Sequence, residues 1–341
     1  MISVWISRLA VVATLLTFVV VVLGAWTRLV DAGLGCPDWP GCYGFFGVPE
    51  SADELGIAET RFPDAPVEAE KAWPEMIHRY FAGTLGLVVF GIAALALWLR
   101  RAQSRRPPDR RSPEPPWRLG LVLAVLVVVQ AAFGMWTVTL KLWPQVVTTH
   151  LLGGVATLSL LWWLTMRCWW DPPAANATRG LRRLAIAAFA ITVLQVALGG
   201  WVSSNYAAVA CPDFPTCQNA WWPEMDLGEG FDVTQGVGPN YLGGLMDNEG
   251  RVAIHMMHRL GALATAAALI VLAVALIRHS AELVSLGVAV LVTLCVQIGL
   301  GIANVVGSIP LGVATAHNAT GALLLLVMVT VSYRLFNRGV S

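Results

Sequence analysis

Charge is what this chain lacks most. Only 13% of its 341 residues are Asp, Glu, Lys or Arg, against about 25% in a soluble globular chain. That shortage excludes an ordinary water-soluble domain. A nucleic-acid surface is excluded with it, because the arginines sit in short segments between apolar runs. The formal net charge of +1 selects no acidic partner. Eight apolar runs hold no Asp, Glu or Arg: Leu9–Trp26, Tyr80–Leu99, Leu119–Leu140, Val146–Met166, Leu184–Val202, Leu260–Ile277, Leu283–Val306 and Leu311–Tyr333. Each is close to the ~20 helical residues that cross a ~30 Å hydrocarbon core. The first run lacks a small-x-small cleavage site and has only Arg8 before it, so it reads as a retained helix, not a signal peptide. Clusters of His, Cys and carboxylate at zinc-type spacing are also missing.

What fills the chain is 57% hydrophobic residues, with a mean hydropathy of +0.67. The few charges are sorted by side. The segment after the second run carries Arg100, Arg101, Arg105, Arg106, Arg110, Arg111 and Arg118. The segment after the fourth carries Arg167, Arg179, Arg182 and Arg183, and the C-terminal tail carries Arg334 and Arg338. Ser203–Gly250 has no Lys or Arg but has Asp213, Glu224, Asp226, Glu229, Asp232, Asp247 and Glu249. Arginine-rich loops stay inside, so the loops after the first and fifth spans are expected outside and both termini inside. Ser104–Pro116, rich in Pro and Arg, reads as a linker without a fold of its own. Cys36, Cys42, Cys211 and Cys217 fall in the outer loops, where an oxidising exterior permits disulfides. Cys168 and Cys295 lie in or beside apolar runs and read as small apolar filler.

The two halves of the chain align on each other. Gly24-Ala-Trp26 matches Gly199-Gly-Trp201, and Cys36-Pro-Asp-Trp-Pro-Gly-Cys42 matches Cys211-Pro-Asp-Phe-Pro-Thr-Cys217, both at an offset of 175. His78-Arg79 matches His258-Arg259 at 180. Gln130, Gly134, His150 and Gly154 match Gln297, Gly301, His317 and Gly321 at 167. Most of these glycines read as small residues at helix contacts. Four spans per copy is an even number, so the copies run parallel. The expected fold is an all-α integral membrane protein. Its eight transmembrane helices form two tandem, parallel four-helix bundles, residues 1–170 and 171–341, related by a pseudo-two-fold axis along the membrane normal.

Histidine inside a membrane span is costly and marks function. Each copy has two, His78 with His150 and His258 with His317, all placed by the topology in the outer half of the bilayer. A lone buried histidine is ordinarily a hydrogen-bonded core residue. Four at repeated positions fit a flat macrocycle held between two imidazoles, as helix bundles hold haem. Arg79, Arg259 and Arg28 stand at the outer edge, where a guanidinium can pair with an anionic propionate or simply snorkel to the interface. His279, beside Arg278 at the inner end, reads as a loop residue.

The copies differ where chemistry matters. Glu75 stands three residues before His78, on the same helical face. Its counterpart at 180 is His255, and Arg28 maps onto Ser203 at 175. A carboxylate beside a bound macrocycle can move protons or position water; equally, Glu75 is within salt-bridge reach of Arg79. The two Cys pairs enclose Pro-containing five-residue loops. They read as disulfide staples at the ends of spans one and five, with redox exchange with a partner as the alternative.

These residues resemble the heme A synthase family of respiratory-oxidase assembly enzymes. The resemblance rests on Thr27-Arg28-Leu29, the Cys36/Cys42 pair, Glu75-Met-Ile-His78-Arg79, Gln130-x-x-x-Gly134, His150, His258-Arg259 and His317. It implies a b-type haem cofactor on His258 and His317. It implies haem O substrate in the N-terminal half, faced by His78 and His150 with Glu75 beside them. The implied reaction turns the C8 methyl of haem O into a formyl group by two hydroxylations, with oxygen from water. A haem O synthase, an electron acceptor and membrane lipid are the implied partners, and a homo-oligomer is left open. The implied location is a bacterial inner membrane with both termini cytoplasmic. The long acidic loops Glu50–Glu70 and Asp226–Gly250 depart from the family's usual form. Two other classes compete: a bis-His b-type cytochrome that only transfers electrons, and a haem carrier without chemistry.

Overall fold

A computed structural model describes residues 2–105, 114–170 and 175–336. Arg106, Arg110, Arg111, Arg338 and most of the Ser104–Pro116 linker lie outside the described residues. The spans form helices α1 (Ile2–Leu29), α3 (Ala69–Ser104), α4 (Trp117–Thr139), α5 (Pro144–Thr165), α6 (Arg179–Ser204), α8 (Asn248–His279), α9 (Val284–Val306) and α10 (Leu311–Phe336). Two short helices, α2 (Ala52–Arg61) and α7 (Leu227–Gly230), sit in the loops after α1 and α6. Among the described residues, eight helices are long and apolar enough to cross a membrane. The protein is a multi-pass membrane protein. Local sequence explains the helix starts. Pro144 opens α5, where its missing N–H costs nothing. Thr178 caps α6 by accepting from the Leu181 N–H, and Ser51 with Glu54 forms a capping box on α2.

The helices close into two rings. In the first, α1 packs on α3 and α5, and α4 on the same two. In the second, α6 packs on α8 and α10, and α9 on the same two. The rings meet along α1, α5, α6 and α10. Half of the apolar window of α10 is buried, against at most 33% for any other span, which places α10 at the centre. Lipid tails give helices no hydrophobic reason to associate, so close packing and interhelical hydrogen bonds must do it. Trp162 donates to Thr330 Oγ1 at 2.8 Å between α5 and α10. The hydroxyls of Thr148 and Ser204 meet at 3.0 Å between α5 and α6. Arg28 Nη2 donates to the Ser203 carbonyl at 2.7 Å. Those two residues are counterparts under the repeat, so their contact lies where the two copies face each other.

α3 and α8 begin well before the spans read from hydropathy, at Ala69 and Asn248 instead of Tyr80 and Leu260. Thirty-six residues make α3 about 54 Å long at 1.5 Å per residue, more than a hydrocarbon core requires. Gly35 of the first disulfide loop packs on the backbone of Lys71 and Ala72 in the first turn of α3. One continuous helix therefore carries Glu75, His78 and Arg79.

Both disulfides form, Cys36–Cys42 and Cys211–Cys217. The loops they close are alike in detail. Asp38 accepts from the N–H groups of Tyr43 and Gly44 at 2.7 and 2.8 Å. Asp213 accepts from Gln218 and Asn219 at 2.6 and 3.1 Å, each residue 175 positions on. The Thr216 hydroxyl, with the N–H groups of Asn219 and Gln218, holds the Asp213 carboxyl below its ordinary value. The acidic loops are structured and unequal. The first folds α2 against the disulfide loop, with Tyr43 edge-on to Phe62. The second reaches the opposite copy: Trp143 donates to Gln235 O, Gln145 to Val233 O, and Tyr241 N–H to Lys141 O, at 2.9 to 3.0 Å. It thus ties down the α4–α5 turn a few residues before His150.

Candidate functional site

Each of the four histidines enters its ring from a different helix, His78 from α3, His150 from α5, His258 from α8 and His317 from α10. Each turns the Cε1 edge of its imidazole onto a glycine of the neighbouring helix. A Cβ built on Gly24 would stand 3.0 Å from His78 Cε1, and one on Gly134 3.4 Å from His150 Cε1. In the second copy the values are 3.3 Å from Gly199 to His258 and 3.2 Å from Gly301 to His317. The glycines read from sequence as helix contacts are therefore also the floors of four imidazole sites.

The polar surroundings separate the copies. His78 Nδ1, His150 Nδ1 and His317 Nδ1 are buried without a hydrogen-bond partner. His258 Nδ1 lies 3.1 Å from Gln195 Nε2, and His317 Nε2 lies 3.3 Å from Gln297 Nε2. Gln297 was legible as a repeat marker. Gln195 was missed, although it is the one carboxamide in an otherwise apolar fifth span.

Glu75 is 5% exposed. Its Oε2 accepts the Cys36 N–H at 2.9 Å, and its Oε1 pairs with Arg79 one turn later. A carboxylate buried beneath the disulfide loop is thus held at both oxygens. Its counterpart His255 is equally buried and faces the Ala207 carbonyl at 3.0 Å through Nδ1. The arginines act on the loops. Arg79 donates to the carbonyls of Asp38, Pro40 and Gly41. Arg259 donates to Asp213, Pro215 and Thr216, the same three positions 175 residues on. Each guanidinium clamps its disulfide loop over its histidine pair. Arg28 reaches the other copy, over the Tyr206 ring at 3.8 Å and against Ser203 O, with Asp31 at 3.6 Å. His279 ends α8 and lies 2.7 Å from Asn176 O.

The donor set fits haem. Among the described residues no three His, Cys, Asp or Glu gather to hold a bare metal ion. What they offer is a pair of imidazoles in each copy, each set against a glycine of the neighbouring helix, and three of the four with a buried ring nitrogen that lacks a partner.

Fold and geometry define the class: a duplicated multi-pass membrane protein with two histidines at matching positions in each copy. Residues 7–329 match the COX15-CtaA family, described as cytochrome oxidase assembly protein, and the chain belongs to that family. It is similar to the heme A synthase of Shewanella oneidensis, 44% identical over 99% of this chain and 98% of that one. It is also similar to the heme A synthase of Caulobacter sp. strain K31, 30% identical over 98% and 95% of the two chains. A third, from Rhizorhabdus wittichii, is 31% identical over 94% and 90%. The resemblance read from the motifs is thereby borne out. The family's haem association agrees with the donor set.

Proposed function

We propose that this protein is a heme A synthase, with substrate in the N-terminal half and a b-type haem in the C-terminal half. The observation that carries the division is Glu75 against His255. Only one of two otherwise matched sites has a buried carboxylate. The relatives named above support the activity over the full length of the chain.

On this reading residues 1–170 receive haem O, with His78 and His150 as ligands to its iron. Conversion of a methyl to a formyl group with oxygen from water balances as CH3 + H2O → CHO + 4 H+ + 4 e−. Two successive hydroxylations give a geminal diol that loses water. Four protons must therefore leave the site, two from the methyl carbon and two from water. Glu75 is the group placed to take them or to hold the attacking water, and Arg79 and the Cys36 N–H fix its carboxylate. His258 and His317 would hold a b-type haem, which would supply one-electron transfer toward an external acceptor. The arginines clamp the loops that close both sites, and Arg28, Arg79 and Arg259 stand where propionates would reach the surface.

Arginine-rich segments on one face and disulfide loops on the other support an inner-membrane location with both termini cytoplasmic. The haem O synthase that makes the substrate is the expected donor. The test is expression together with a haem O synthase, followed by haem extraction. Appearance of haem A supports the reading; haem B and haem O alone overturn it.

A further inference from the structure

We infer that the two disulfide loops are lipid anchors: each sets exposed aromatic side chains into the headgroup region of the leaflet on its side of the membrane.

Large aromatic side chains stand uncovered on these loops. Phe46 is 93% exposed, Trp221 75% and Trp222 66%. The repeat keeps the feature. Phe46 and Trp221 are counterparts at 175, and each directly follows the backbone pairing that closes its loop, Cys42 with Phe45 and Cys217 with Ala220. Trp39 and Phe214, again 175 apart, are exposed as well. The ring differs within each pair, Phe against Trp and Trp against Phe. What the copies share is therefore an outward aromatic and not one fitted contact. A lipid interface accepts either ring, whereas a protein partner would need a different socket for each loop.

α3 sets the depth. Tyr80, Thr84, Leu87, Gly91, Ala94 and Trp98 are exposed at helical spacing and form a stripe that α3 turns to lipid. Its two aromatic ends, Tyr80 and Trp98, stand 18 residues apart, about 27 Å along the axis. A hydrocarbon core is about 30 Å thick, with aromatic residues enriched at both edges. Tyr80 therefore marks the interface. Its hydroxyl donates to the Phe46 carbonyl at 2.6 Å, so Phe46 stands at the head of the lipid-facing stripe. The exposed aromatics continue the membrane-facing surface. In the second copy Leu260 takes the place of Tyr80 at 180 and is exposed likewise. Arg259, one residue earlier, donates to the Thr216 carbonyl at 2.8 Å and holds that loop at the same level.

A loop can enter the interface only if its own polar groups are satisfied. Residues 36–47 and 211–222 hold one charged side chain each, Asp38 and Asp213. Both carboxylates turn back to N–H groups of their own loop. Arg79 and Arg259 take three loop carbonyls each. What remains to face outward is the aromatic rings.

The test uses the full-length protein in vesicles of phosphatidylcholine and phosphatidylglycerol. Cys168→Ala and Cys295→Ala remove the free thiols. A nitroxide is then attached at Phe46→Cys, at Trp221→Cys or, for comparison, at Glu59→Cys on the exposed charged face of α2. Electron paramagnetic resonance reads collisions with oxygen, which concentrates in lipid, and with a water-soluble nickel chelate. Oxygen collisions should exceed nickel collisions at 46 and 221, and the order should reverse at 59. A nickel excess at 46 and 221 overturns the inference, because the rings then stand in water. Few collisions with either reagent at those positions overturn it too, in favour of a protein cover. A second measurement needs no label. Phosphatidylcholine with brominated acyl chains should quench less tryptophan emission in Trp221→Phe/Trp222→Phe than in the unsubstituted protein. An unchanged quenched amplitude overturns the anchor on the second loop.

Discussion

Replacing Glu75 by Gln separates the two jobs its position allows. The carboxylate accepts the Cys36 N–H and pairs with Arg79. Both side chains are nearly buried, Glu75 at 6% and Arg79 at 11% exposure. Removing one partner of a buried pair ordinarily costs about 3–5 kcal/mol, because a charge is left uncompensated. The second copy argues for less. Arg259 clamps the same three loop positions with His255 where Arg79 has Glu75, so the clamp stands without an acid. A glutamine in place of Glu75 would keep an oxygen for the Cys36 N–H. The expected cost is therefore about 1–3 kcal/mol, the scale of one hydrogen bond to a charged group. Glu75→Ala orphans the buried Cys36 N–H as well, adding about 1–3 kcal/mol. The assay measures three things on one preparation: thermal unfolding in detergent, the visible spectrum of the resident haem, and extracted haem after expression with a haem O synthase. Glu75→Gln should keep the fold and the resident haem while haem A disappears. Normal haem A from this variant refutes the proton-handling role. Simultaneous loss of the resident haem shows that Glu75 is structural.

Three further outcomes follow from the same geometry. Gly35→Ala would drive a Cβ into the Lys71 carbonyl of α3, with backbone all round and nothing flexible to yield. It should lift the Cys36 loop off Glu75 and lower product formation while the His258 site keeps its spectrum. Gly24→Ala should disturb the His78 imidazole and Gly199→Ala that of His258, at 3.0 and 3.3 Å. Ligand-field spectra of the purified variants should therefore change in the N-terminal site for the first and in the C-terminal site for the second. The Asp213 carboxyl is held below its usual 3.8, so its support of the Cys211–Cys217 loop is fully present above that value. That support is lost only as pH falls further, through the native-state value. Amide exchange at Gln218 and Asn219 should stay slow down to about pH 4 and quicken below it; quickening well above it would contradict the assignment.

Much of the architecture was legible in the chain. Eight runs without charge can only be spans, because an unpaired charge or an open backbone in lipid is too costly. The duplication could be read from the paired Cys loops and histidines, since identical local sequence builds identical local structure; Asp38 and Asp213 make matching hydrogen bonds in the two loops. Glu75 against His255 stood out for the same reason. Hydropathy marked the apolar runs inside α3 and α8 but not where the helices begin, because it measures affinity for lipid and their first turns carry charge. Only the tertiary structure decided what the arginines hold, for the carbonyls that Arg79 and Arg259 clamp come from loops some forty residues away. Only packing showed that Gly24, Gly134, Gly199 and Gly301 face imidazoles across helices. And the separation of Gln130 from Gln297 was invisible in a motif they share: packing sets the first carboxamide against Gly153 and the second against the His317 imidazole, a difference of volume and not of spacing.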